Sequence, residues 1–210
     1  MAVAIEMARS GSRTDKMEAM RMLADAGSPK AWDALIDLAG TTRGTTRITA
    51  LEMLSQRRPG DPVLEALLAD SLFSGRRDES TFAASVLGRI GTEQARQTLI
   101  TALGGSDKQL AIAAAGALGQ QAMTDSVKTA LLAASRNDPA LKNQVMHQLI
   151  NAGAPEGMRL AEEVLNSKDA GAASTVIYAL AANGSAEAKR LLERALDSKE
   201  PAVRMAAISN

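Results

Sequence analysis

The sequence predicts an all-α protein: a right-handed α-solenoid of about six to seven antiparallel helix pairs with a 31-residue period. Three observations predict it. The leucines Leu87, Leu118, Leu149 and Leu180 stand 31 residues apart. The acids Asp107, Asp138, Asp169 and Glu200 keep the same step. The composition is 46% hydrophobic but only 2% aromatic, and the apolar residues are mostly Ala and Leu with 10 Met. That is a helical vocabulary, too poor in β-branched and aromatic residues for an all-β fold.

The elements follow in chain order. A partial repeat spans 1–27, with a short first helix in MAVAIEMA and then Leu23 and Gly27. Full repeats start near residues 28, 61, 92, 122, 153 and 184. The step from Leu54 to Leu87 is 33 residues, and the Pro-containing loop RRPGD at 57–61 absorbs the extra length. Residues 92–122 show one unit in full. Leu99, Ile100 and Leu103 share one helical face, Gly104-Gly105-Ser106 breaks it, and Leu110, Ile112, Ala114, Ala115 and Leu118 fit a second helix. Asp107 or Ser106 is placed to cap that second helix. Pro139 and Pro201 fall in the first turn of the equivalent helices, where a missing N–H costs nothing. Gly91, Gly153 and Gly184, each four residues after a ladder leucine, can close their helices in the left-handed conformation. One such helix pair cannot bury its own apolar face, so neighbours must stack. The whole of 1–210 is therefore expected to be a single solenoid domain.

Charge and motif content narrow the function. The 24 basic and 24 acidic residues cancel, with 13 of each in 1–105 and 11 of each in 106–210. Nucleic-acid binding needs clustered Lys and Arg, so no nucleic-acid partner is expected. The absence of Cys removes disulfides, thiolate metal sites and cysteine nucleophiles together. No apolar run reaches the roughly 18 residues of a membrane span, and MAVAIEMARSG, with Glu6, is a poor signal peptide. The compartment is not fixed by these features. No phosphate loop, HExxH or GxSxG is present, so no catalytic residue, metal or cofactor is implied. Glu162 and Glu163 are adjacent on a helix and point apart.

SKEPAVRMAA at the C-terminal end and NDPALKNQVMHQL at 137–149 resemble the second helix of a HEAT repeat, in the short bacterial form called PBS-lyase-like. Such helices open with an acid, a proline, and a base four residues after the acid. Glu200 with Arg204 and Asp138 with Lys142 match. Asp107 and Asp169 have Ala111 and Ala173 instead, while Lys16 and Arg47 hold the basic position in units without the acid. The resemblance covers about 180 residues and implies the fold; repeats of this kind serve many unrelated roles. The acid–base pairs read as structural, each supporting its helix by about a few tenths of a kcal/mol.

Solenoids of this type bind along a concave face lined by the second helices. Two residues before each ladder leucine stand Arg21, Glu52, Ser85, Gly116, His147, Tyr178 and Ser209; five before stand Glu18, Thr49, Phe82, Ala113, Gln144, Thr175 and Ala206. Arg21, Glu52, Phe82, Ser85, Gln144, His147 and Tyr178 are the candidate partner-binding residues. These rows hold the only His, the only Tyr and one of two Phe in the protein. A mixed polar surface with a few large side chains suits a protein or peptide partner. Trp32 reads as a core or staple residue of a first helix, and Met17, Met20, Met22, Met53 and Met146 as core fillers.

The leading expectation is a non-catalytic scaffold that binds a protein or peptide. The resemblance also admits a chromophore lyase or a chaperone-like relative. Alkylpurine DNA glycosylases use HEAT-like stacks too, but they need a basic face with Trp, which the charge balance opposes. The pattern places a further leucine just after Asn210 and ends without a polar cap. It suggests a piece of a longer repeat protein, or an open end available for end-to-end self-association. Leu118→Ala or Leu149→Ala is expected to cost about 2–5 kcal/mol in denaturant unfolding. The equivalent change near either end should cost less, and equal losses at every ladder position would contradict a one-dimensional stack.

Overall fold

A computed structural model describes residues 2–136, 138–167 and 169–209, save the side chains of 139, 140 and 170. Among the described residues there are 14 helices and no strand. They form two compact units, Met1–Gln121 and Ala122–Asn210. The first unit contains α1 (Ala2–Ser10), α2 (Arg13–Ala26), α3 (Pro29–Thr41), α4 (Thr45–Arg57), α5 (Pro62–Leu72), α6 (Arg77–Ile90), α7 (Glu93–Leu103) and α8 (Lys108–Leu118). The second contains α9 (Asp125–Ser135), α10 (Pro139–Asn151), α11 (Pro155–Leu165), α12 (Ala170–Asn183), α13 (Ala186–Leu196) and α14 (Pro201–Ile208). Odd-numbered helices are the first of each pair and even-numbered the second. The ring of Pro139 lies outside the described residues.

Local chemistry sets these boundaries. Ser12, Ser28, Asp61, Thr92, Asp107, Thr124, Asp169 and Ser185 each cap a helix by accepting a backbone N–H in the first turn. Asp107 takes two, from Gln109 at 2.9 Å and Leu110 at 3.1 Å. Ser12 and Asp15 form a reciprocal capping box; the Ser12 hydroxyl holds the Asp15 carboxyl below its ordinary range. Gly27, Gly91 and Gly184 close α2, α6 and α12 with φ of +57°, +66° and +66°, where a side chain would be strained.

In the first unit consecutive pairs stack first helix on first and second helix on second; in the second unit α10, α12 and α14 stack in turn and α11 meets α13. Leu23, Leu51, Leu68, Leu87, Leu99 and Leu118 are fully buried in the first unit; Met146, Leu149, Ile150, Val176, Ile177 and Leu180 are buried in the second. Each such side chain contributes roughly 1.5–3 kcal/mol through burial. The second helices meet closely because their contact residues are small. A Cβ on Gly88 of α6 would lie 2.9 Å from the Ala117 carbonyl oxygen of α8. Side-chain amides tie successive second helices further. Gln121 donates to the Leu87 carbonyl at 3.2 Å, and Asn183 to the Ile150 carbonyl at 2.6 Å.

Several expectations are corrected. Arg204 does not pair with Glu200; its guanidinium donates to the carbonyls of Ser198 at 2.6 Å and Lys199 at 3.0 Å. The loop before the helix brings these carbonyls closer than the carboxylate. Met17 and Met22 are 46% and 52% exposed, whereas Met20 and Met146 are buried. Neither Met17 nor Met22 faces the leucine ladder. Trp32 is half-buried against the preceding link, where its Nε1–H donates to the Gly27 carbonyl at 3.0 Å and Arg58 lies 5.9 Å from its ring centre.

Arg47 finds its acid in the next repeat. It is 3.9 Å from Glu79 of α6, both side chains are buried, and Arg47 also donates to the Leu67 carbonyl at 3.3 Å. Glu79 in turn accepts from the Gly44 N–H at 2.5 Å and meets Arg76 at 3.1 Å. Glu79→Ala strands the buried Arg47 and is expected to cost about 3–5 kcal/mol in urea unfolding. The double variant Arg47→Met, Glu79→Leu should recover most of that. A Glu79→Ala loss below about 1 kcal/mol would show that the pair is dispensable.

Candidate functional site

The second helices present their outer surface through residues that the leucine ladder leaves free. In the first unit, Arg21 of α2, Glu52 of α4 and Ser85 of α6 are exposed, and Phe82 of α6 is half-buried. In the second unit, Gln144 and His147 of α10 are half-buried and Tyr178 of α12 is 66% exposed. Arg21 is not a free charge. It meets Glu18 one turn back at 2.8 Å, and that hydrogen bond lowers the Glu18 carboxyl while raising the Arg21 guanidinium. Thr49, from the same rows, is buried, its hydroxyl donating to the Thr45 carbonyl at 2.9 Å. The count from the leucine places it outward, but it turns into the seam between α2 and α4.

Two clefts open on this surface in the first unit. One lies between α6 and α8 and is lined by Arg77, Ser80, Thr81, Asp107, Leu110 and Ile112; beside it, Phe82 lies on a broad shelf with Thr81 and Ser85, edged by Arg77 and Asp78. The other lies between α2 and α4, with Met17 and Met20 opposite Thr45, Thr46 and Thr49, and with Arg13 and Lys16 at its mouth. The candidate rows include Phe82 and Ser85 but not the basic residues. Arg13 and Arg77 stand ten residues before their ladder leucines, in the first turn of the second helix. They lie two i, i+4 steps before the row that stands two residues ahead of each leucine.

The second unit has a depression on its first-helix side, between the ends of α11 and α13 and the α13–α14 link, bridged by a Glu162–Arg194 ion pair. Among the described residues, no group of His, Asp and Glu is gathered as metal ligands, and no helix is long and apolar enough to cross a membrane.

No protein-family model matches the chain, and no curated protein matches it in sequence. Solved structures do match. A chain of the CpcE–CpcF complex of phycocyanin lyase from Nostoc sp. PCC7120 superimposes with a TM-score of 0.51 at 18% identity, over 99% of this chain and 85% of that one. A chain of the AP-3 complex, in a homology model of an intermediate open conformation, gives 0.55 at 14% identity, over 92% of this chain but only 46% of its own length. At these identities the likeness concerns the fold, which is the HEAT-type helical-repeat fold.

Proposed function

We propose that this chain is a non-catalytic interaction scaffold that binds a protein or peptide along the outer face of its second helices. The observation that carries the reading is the α6–α8 cleft with its Phe82 shelf. It places an apolar floor beside polar edges on the face that the stacking leaves free. Recognition surfaces need a small number of large side chains in such a setting. In a protein with only four aromatic residues, Phe82 is half-buried there and Tyr178 is exposed on the equivalent face of the second unit. The similar chains come from proteins described as complexes, CpcE with CpcF and AP-3, which supports a protein partner.

A second reading is a relative of the phycocyanin lyase proteins that acts on a chromophore-bearing protein. The extent of the match to the CpcE–CpcF chain favours it. It shares the protein partner and differs in having a reaction.

Immobilised wild-type protein should capture a partner from a lysate of its source organism. Phe82→Ala with Tyr178→Ala should lower recovery at least about ten-fold, as losing two anchors would, with circular dichroism unchanged. Unchanged recovery would place the binding surface elsewhere. Covalent attachment of a bilin to a phycocyanin subunit, above the rate without this protein, would replace the scaffold reading with the lyase one.

A further inference from the structure

We infer that the second-helix edge of the first unit recognises an acidic segment of a partner protein, with carboxylates seated at two clefts and apolar side chains between them. The inference rests on the scaffold reading and names the chemistry of its partner.

The α2–α4 cleft has two cations at its mouth. Arg13 and Lys16 are one turn apart on α2 and so share a face. Neither pairs with a carboxylate among the described residues, although ion pairs are common elsewhere in the unit. The nearby Asp15 carboxylate is committed to Ser12 in the capping box. Across the cleft, α4 begins at Gly44 without a side-chain cap, and the hydroxyls of Thr45 and Thr46 have no protein partner among the described residues. Met17 and Met20 supply the apolar wall.

The α6–α8 cleft repeats the arrangement two helix pairs later. Arg77 occupies the same first-turn position on α6 as Arg13 does on α2, lines the cleft, and has no ion-pair partner among the described residues. At the far edge, one oxygen of the Asp107 carboxylate, Oδ1, accepts both the Gln109 and Leu110 N–H groups. Asp78 is exposed next to Arg77 and lines the adjoining Phe82 shelf with it, without an ion pair between them among the described residues. Ser80, Thr81 and Gln109 supply polar groups, and Leu110, Ile112 and Phe82 supply apolar ones.

A cation in the first turn of a helix opposes the helix dipole. Placing unpaired arginines there twice, each at the mouth of a cleft, works against the fold's own electrostatics. An incoming anion reverses that cost. The apolar walls and the protein's net charge of zero favour carboxylates on a peptide over a phosphate backbone, which needs a longer basic track.

The test uses the full chain and a fluorescent peptide of repeated Glu-Leu-Gly triplets, read by anisotropy at low salt. The expected result is saturable binding that weakens in about 0.5 M salt. Arg13→Glu with Lys16→Glu should weaken it about ten-fold, as should Arg77→Glu. All three residues are exposed or half-buried, so folding should survive. The control Arg159→Glu, which matches Arg77→Glu in charge and is exposed on a first helix of the second unit, should leave affinity within about two-fold. The inference is overturned by no binding, by equal binding of the Lys-Leu-Gly peptide, or by equal losses in Arg159→Glu. Displacement by millimolar inorganic phosphate, or tighter binding of single-stranded oligo-dT, overturns it in favour of a phosphate ligand. Partner capture through Phe82 and Tyr178 with no response to the acidic peptide would sink this inference alone; no capture by the wild type would sink the scaffold reading beneath it.

Discussion

The close approach of successive second helices is the contact on which the rest of the structure depends. A helix pair exposes one apolar face that it cannot cover, and only the next pair can cover it. The seam between α6 and α8 is narrow enough that Gly88 lies against the Ala117 backbone. Ala83 and Ala84 of α6 and Ala111, Ala114, Ala115 and Ala117 of α8 are all buried. Small residues bring the backbones together, and the leucines fill the space beneath. The high Ala and low aromatic content follows from this geometry. A larger residue at the seam would push the helices apart and uncover the leucines at the same time.

That constraint also limits which positions of a second helix can vary. The ladder side of each second helix is spent on packing, and a charge buried at a seam sits against an opposite charge, as Arg47 and Glu79 do. What remains is the outer edge, where side chains escape selection for packing. In the first unit this edge carries the two clefts, the Phe82 shelf and the unpaired cations. In the second it carries His147 and Tyr178. Large and charged groups can vary there without disturbing the stack, which is how one fold comes to serve many partners.

Most of the fold was legible because its signals are local and repeated. The Leu and Gly spacings mark where helices pack and end, and Asp107 caps α8 as its position implies. Contacts that reach across repeats were less legible. Arg47 meets an acid 32 residues away rather than on its own helix, and Arg204 prefers two nearby carbonyls to Glu200. Spacing along one helix cannot rank those choices. The candidate rows place Tyr178 at an exposed position and Phe82 at a half-buried one beside a cleft. Arg13, Lys16 and Arg77 lie outside those rows and line clefts formed jointly by two helices. Met17 and Met22 show the same limit: an apolar residue was taken for core, although its angle on α2 turns it away from Leu23.

Hydrogen exchange measured by mass spectrometry, with and without a captured partner, tests the central claim most directly. Binding on the second-helix face predicts added protection in peptides from the even-numbered helices, strongest at the first turns of α2, α4 and α6, with the odd-numbered helices unchanged. Protection concentrated on the odd-numbered helices would contradict the account.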